Sequence, residues 1–190
     1  MRILLIDHED SFVHNIEQAL RADGAEVVCL RCTAALATAV RVDPDGIVLS
    51  PGPGHPRDRR VTGLARALLA RWDTERPFFG VCLGHQLIGD YYGGRVGRAP
   101  EPVHGEVATV RHDGAGVFRG IPSPLRGARY HSLVVDAELP DCLEESARGD
   151  GVLMGLRHRE LPAEGGQFHP ESVLTEHGKE MLMSFMEVTR

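Results

Sequence analysis

Lysine is almost missing from this chain: all but one of its 21 basic residues are arginine, and Lys179 stands alone. A Walker-type phosphate loop, G-x-x-x-x-G-K-[ST], is therefore excluded. Long apolar runs are also absent. No stretch of about 18 apolar residues occurs, which excludes a membrane-spanning helix. The opening Met1-Arg2-Ile3-Leu4-Leu5-Ile6-Asp7 turns acidic too early for a secretory signal, so the expected location is the cytoplasm. Basic charge is in deficit, with 21 basic against 27 acidic residues and a net charge of -6. That argues against a dedicated nucleic-acid binder, which carries a basic stripe. Cysteine is scarce, with Cys29, Cys32, Cys82 and Cys142 only. In a cytosolic protein these are expected to be reduced. Cys29 and Cys32 form a lone C-x-x-C with no second pair and no nearby histidine pair. They read as two small apolar residues at a strand end, and no metal or cofactor is expected.

What is present is an ordinary globular composition, 42% hydrophobic over 190 residues. At roughly 100–200 residues per domain this is one domain, residues 1–190, large enough to need no disulfide or metal staple. The first half alternates strand and helix signals. Ile3–Ile6 is a continuous apolar run, as in a strand buried on both faces. Asp10 or Ser11 is placed to cap a helix with Phe12, Ile16, Ala19 and Leu20 on its apolar face, and Gly24 stops it. Ala25–Leu30 and Gly46–Ser50 are further strands, with a weak helix between them that ends at Asp43-Pro44-Asp45-Gly46. Leu64, Leu68, Leu69 and Trp72 mark a helix, and Phe78–Val81 a short strand. This order predicts an α/β fold with an open, mostly parallel sheet flanked by helices. Beyond Gly94 the segments shorten. Val103–Val110 and Gly151–Arg157 read as strands of a smaller antiparallel region, and a last helix is predicted over 175–187.

Gly80-Val81-Cys82-Leu83-Gly84-His85-Gln86 follows an apolar strand and precedes a helix signal, the setting of a nucleophile elbow with cysteine in place of serine. The glycines permit a sharp turn that lifts Cys82 above the sheet. The following helix aims its N–H groups at the sulfur, and the N–H of Leu83 is placed to bind a developing oxyanion. A thiol nucleophile needs a base and a group to orient that base. Gly166-Gln167-Phe168-His169-Pro170-Glu171-Ser172 supplies His169, with Glu171 close enough to hold one ring nitrogen. His85, one helical turn from Cys82, is the rival base. Ser50-Pro51-Gly52-Pro53-Gly54-His55-Pro56 sits at the C-terminal end of a predicted strand, where binding loops lie in open α/β sheets. It reads either as such a loop or as a rigid turn.

These motifs, with Tyr130-His131-Ser132-Leu133, resemble the class I (triad) glutamine amidotransferase domain over nearly the whole chain. Asp10-Ser11-Phe12, Ser50–Gly54 and Pro170–Gly178 are similar, more narrowly, to the small glutaminase subunits of anthranilate synthase and aminodeoxychorismate synthase. The resemblance implies Cys82 as nucleophile, His169 as base and Glu171 as its orienting partner. It implies that Gly52, Pro53 and Gly54 contact the glutamine and help form the oxyanion hole. Gln86, Ser132 and Leu133 match positions that hold the α-amino and α-carboxylate ends of L-glutamine. The implied partner is a separate synthase using chorismate or isochorismate, with no nucleic acid or membrane involved.

Two departures from the family pattern stand out. The usual Asp-Asn-aromatic opening is Asp7-His8-Glu9 here, and the lysine expected after His104-Gly105 is Glu106. Both are expected on surfaces that face or support the partner. Two other readings stay open on the residues: a stand-alone thiol hydrolase of α/β-hydrolase-like type acting on an ester or lactone, and a silent regulatory subunit.

Overall fold

In the computed structural model, which describes residues 1–189, the chain opens with β1 (Arg2–Asp7), α1 (Val13–Ala22), β2 (Glu26–Arg31) and α2 (Leu36–Val42). It continues through β3 (Gly46–Leu49), α3 (Arg59–Trp72), β4 (Phe78–Val81) and α4 (Leu83–Tyr91). The second half runs β5 (Val96–Arg98), β6 (Glu106–His112), a short 3-10 turn (Gly116–Phe118), β7 (Leu125–Arg129) and β8 (Leu133–Val135). It ends with β9 (Leu143–Gly149), β10 (Val152–His158), β11 (Ala163–Gly166) and α5 (Gly178–Val188).

The sheet order is β2-β1-β3-β4-β11-β10-β9-β6-β7. The strands from β2 to β11 pair in parallel, and the rest continue the same sheet antiparallel. β5 and β8 form a separate antiparallel ribbon. The expected antiparallel region is thus an extension of the parallel sheet. β1 has parallel neighbours on both edges and helices on both faces, so its whole apolar run is buried. Ile3 and Leu5 pack with Val13, Ile16 and Phe185 on the α1 and α5 side. Leu4 and Ile6 pack with Leu64, Leu68 and Trp72 on the α3 side. The period of two along the strand divides its side chains between two cores.

Three sequence expectations shift. Neither Asp10 nor Ser11 caps α1. The cap position is Phe12, without a side-chain bond, and Asp10 Oδ2 instead accepts from the Phe12 N–H at 2.7 Å. Asp10 therefore shapes the turn before the helix, and Phe12 is 52% exposed instead of buried. The last helix begins at Gly178 instead of 175, because Thr175 is bound elsewhere: its hydroxyl donates to the His169 carbonyl at 2.6 Å and accepts from Ala128 N–H at 2.9 Å. The strand expected from Val103 begins at Glu106. Gly24 does end α1, with φ +87° just after the cap at Asp23. Cys29 lies in β2 with Cys32 just beyond it, and both are free thiols. Among the described residues no helix is long and apolar enough to cross a membrane.

Candidate active site

Cys82 is the single residue between β4 and α4, with φ 51° and ψ -98°. A non-glycine residue there is strained by about 1–3 kcal/mol, and the surroundings must hold it. Two glycines let them do so. A Cβ on Gly80 would collide with the backbone of Gly84, and one on Gly84 would collide with the carbonyl of Leu49 in β3. The start of α4 is thereby pressed onto two strands at once. From the other side, Cys82 N–H donates to the Gly166 carbonyl of β11 at 2.8 Å. Leu83 is the first residue of α4, so its N–H has no carbonyl acceptor within the helix.

The sulfur opens on a crevice of about 170 Å³ lined by Gly52, Pro53, Gly54, Cys82, Leu83, Gln86, Tyr130, His131, Ser132 and Leu133. Every residue the sequence proposed for glutamine contact is among them. The volume suits a small metabolite; drug-sized ligands take roughly 300–1,000 Å³. The Pro-Gly segment is more than a rigid turn, because it forms one wall. A Cβ on Gly52 would collide with the His8 carbonyl, so only glycine lets the loop lie against the end of β1. His8 N–H donates to Ser50 Oγ at 2.9 Å, and its ring Nδ1 donates to the Ser50 carbonyl at 3.1 Å. Burial pulls the His8 imidazole down to about 4, so it stays neutral. His8 is therefore an internal loop support and not a partner-facing residue, since its side chain is fully buried, while Glu9 beside it is exposed. The far end of the loop is tied to the nucleophile helix. Arg57 Nε donates to Asp90 Oδ1 at 2.6 Å, and Arg66 bonds the other oxygen of the same carboxylate.

His169 and Glu171 follow β11. His169 N–H donates to the Ala128 carbonyl of β7 at 3.0 Å, and Tyr130 meets the ring edge-on at 5.0 Å between centroids. Nδ1 lies 2.6 Å from Glu171 Oε1. Burial opposes charge on the imidazole, but the neighbouring Cys82 sulfur and Glu171 carboxylate outweigh it and raise the pKa to about 10. The rival base is placed differently. His85 is fully buried and is driven down to about 4 by burial, whereas His169 lines a hollow that shares Tyr130 with the crevice. It packs under β11, where a Cβ on Gly165 would come 2.9 Å from the His85 Cα.

The structure adds residues the sequence reading left without a role. His131 lines the crevice and is kept neutral, near 4, by burial and by the positive charges of Arg129 and His169. Gln167 is fully buried, and its Nε2 lies 3.5 Å from Cys82 Sγ. Glu106, the second departure, is exposed and pairs with Arg129 opposite it at 3.7 Å across β6 and β7. Among the described residues no cluster of His, Cys, Asp or Glu could hold a metal ion.

The chain is 43% identical over 195 residues to anthranilate synthase component 2 of Haloferax volcanii, covering 98% of this chain and 95% of that one. It is 46% identical over 193 residues to the aminodeoxychorismate synthase of Streptomyces pristinaespiralis, covering 100% of this chain and 26% of the larger protein. The fold matches a crystal structure described as a GMP synthase component from Thermoplasma acidophilum, with a TM-score of 0.90 at 23% identity, covering 100% and 94% of the two chains. The profile of the family described as "Glutamine amidotransferase class-I" matches residues 4–188, from the first strand to the last helix and across every wall of the crevice, and the chain belongs to that family.

Proposed function

We propose that this chain is a glutaminase subunit that hydrolyses L-glutamine and hands the ammonia to a synthase using chorismate or isochorismate, of the anthranilate or aminodeoxychorismate synthase type. The observation that carries the reading is Cys82 at a strained elbow, opening on a crevice of about 170 Å³ in a chain that aligns end to end with anthranilate synthase component 2.

The chemistry follows from the positions. Cys82 Sγ gives its proton to His169 and attacks the side-chain amide carbon of glutamine, and the oxyanion is bound by the Leu83 N–H and by backbone N–H groups of the Gly52–Gly54 loop. His169 delivers its proton to the leaving nitrogen as the C–N bond breaks, which leaves a glutamyl thioester. It then takes a proton from water, whose oxygen attacks the thioester carbon, and returns that proton to the departing sulfur, which releases glutamate and restores the thiol. Glu171 keeps the imidazole oriented and compensates its charge. Gln86, Ser132 and Leu133 receive the zwitterionic end of the substrate.

Ammonia released into water is mostly protonated and useless as a nucleophile, so the acceptor enzyme must cover the site. Beside the crevice, His169 and Glu171 form the floor of a second hollow walled by Phe12, Val173 and Leu174. Val173 is 99% exposed and Leu174 44%. Apolar side chains so exposed at the edge of a reactive centre fit a docking surface for the synthase. The complex is read as cytoplasmic, in keeping with its unpaired thiols.

The test measures glutamine hydrolysis by the purified chain with and without chorismate-using synthases. Activation by one of them, with glutamine-dependent product formed in the complex, supports the reading. Full turnover by the lone chain, unchanged by any synthase, overturns its partner half. No glutamine hydrolysis under any condition overturns the whole.

A further inference from the structure

The amide of Gln86 has only one orientation available. Its Nε2 donates to the Leu133 carbonyl at 2.9 Å, and a carbonyl can only accept. The second hydrogen of that nitrogen meets Gln167 Oε1 at 3.1 Å. This fixes the Gln167 amide in turn: its oxygen is turned to Gln86, so its nitrogen is the atom at 3.5 Å from Cys82 Sγ. Gln167 itself cannot wander, because it is fully buried and its backbone N–H donates to the Met154 carbonyl of β10 at 2.9 Å. One carbonyl in β8 therefore sets a relay of two amides that ends at the reactive sulfur. Both hydrogens of Gln86 Nε2 are spent in it, which leaves Oε1, an acceptor, as the polar atom that Gln86 can offer to a ligand.

We propose that Gln167 is a positioning residue that sets the Cys82 sulfur with its amide nitrogen and the substrate-binding face of Gln86 with its amide oxygen. The proposal rests on the glutaminase reading for its substrate half and on geometry alone for its sulfur half. A hydrogen-bond donor aimed at the sulfur stabilises negative charge on it and restrains its rotamer. An acceptor aimed at Gln86 keeps that side chain's oxygen toward the crevice, where an ammonium can be received and a carboxylate is refused.

The experiment compares Gln167→Leu, Gln86→Leu and the double variant, each paired with its synthase, by two readouts. The first is the rate of Cys82 alkylation by iodoacetamide, which involves no glutamine. The second is the KM for glutamine. Gln167→Leu is expected to slow alkylation about three- to tenfold and raise KM about tenfold, the size of one net hydrogen bond. In the double variant KM is expected to equal that of Gln86→Leu, because Gln167 acts on substrate binding only through Gln86. Its alkylation rate is expected to equal that of Gln167→Leu. A general loosening of the core would lower the thermal midpoint without this split. Gln167→Met, similar in volume, takes the place of the leucine variant if that one does not fold. Wild-type alkylation together with wild-type KM in a folded Gln167 variant overturns the proposal, and so do KM effects at 86 and 167 that simply add. If the wild-type complex hydrolyses no glutamine, the glutaminase reading fails, while the alkylation rates still decide the sulfur half.

Discussion

The imidazole of His169 is held by a carboxylate from its own turn: Glu171, two residues on, places Oε1 2.6 Å from Nδ1, and the two side chains are 5% and 1% exposed. Pro170 between them fixes the backbone that brings the two together. Among the described residues, the ring nitrogen not used by Glu171 makes no hydrogen bond. Proton carrier and orienting group thus travel as one unit, and only the sulfur comes from elsewhere in the chain.

Cys82→Ala is expected to abolish glutamine-dependent product formation in the complex and to leave ammonia-dependent formation intact, because the acceptor chemistry belongs to the synthase. Parallel assays with the two nitrogen sources check this. Glutamine turnover retained in Cys82→Ala would remove the sulfur from the reaction.

His169→Ala is expected to lose about 10²–10⁴-fold in glutamine hydrolysis, the usual scale of general acid–base transfer. Glu171→Gln is expected to lose less, since the amide still accepts from Nδ1 but no longer compensates the charge. Steady-state rates of the two variants rank them. A His169→Ala enzyme within about tenfold of wild type would move the base role to another histidine.

Glu164 in β11 is buried with its Oε2 on the Val117 N–H at 3.2 Å, and burial raises its pKa to about 7 despite that bond and the nearby Arg157. Between its ordinary value of 4.5 and about 7 the folded chain holds a proton that the unfolded chain has lost, so stability falls as pH rises through this window. Glu164→Gln removes the charge and keeps the acceptor. Its thermal midpoint is expected to exceed that of wild type by about 2–4 °C at pH 8, for roughly 1 kcal/mol, and to match it at pH 5. Calorimetry at the two pH values checks this, and an equal shift at both would assign the effect to packing.

Val173→Asp with Leu174→Asp is expected to abolish activation by the synthase while leaving the thermal midpoint of the lone chain unchanged, because these side chains are exposed and project away from the core. Size-exclusion chromatography of the mixed subunits gives the second readout. A double variant that still forms the active complex would place the docking surface elsewhere.

The parallel half of the fold was legible because its signals are local. The run Ile3–Ile6 and the spacing of Leu64, Leu68, Leu69 and Trp72 each report their own burial. The elbow was legible for the same reason, since Gly80 and Gly84 stand within two residues of the strained one. Where local rules misled, a tertiary bond had claimed the residue. Asp10 serves the turn before α1, and Thr175 closes a loop onto His169 and Ala128. Gln167 was invisible as a participant because its partners lie 81 and 85 residues away, and nothing in its neighbourhood distinguishes it from any polar residue at a strand end.

β11 lies between β4 and β10, so the strand that carries the chain to His169 is inserted into the middle of the sheet and not added at its edge. On the ribosome the thiol of Cys82 therefore emerges long before its base, and the sheet stays open at its centre until residues 163–166 arrive. A chain stalled or clipped before that point carries a cysteine but neither the Gly166 carbonyl that anchors it nor the imidazole that serves it. Incomplete synthesis then yields an idle fragment instead of an enzyme that squanders the cell's glutamine.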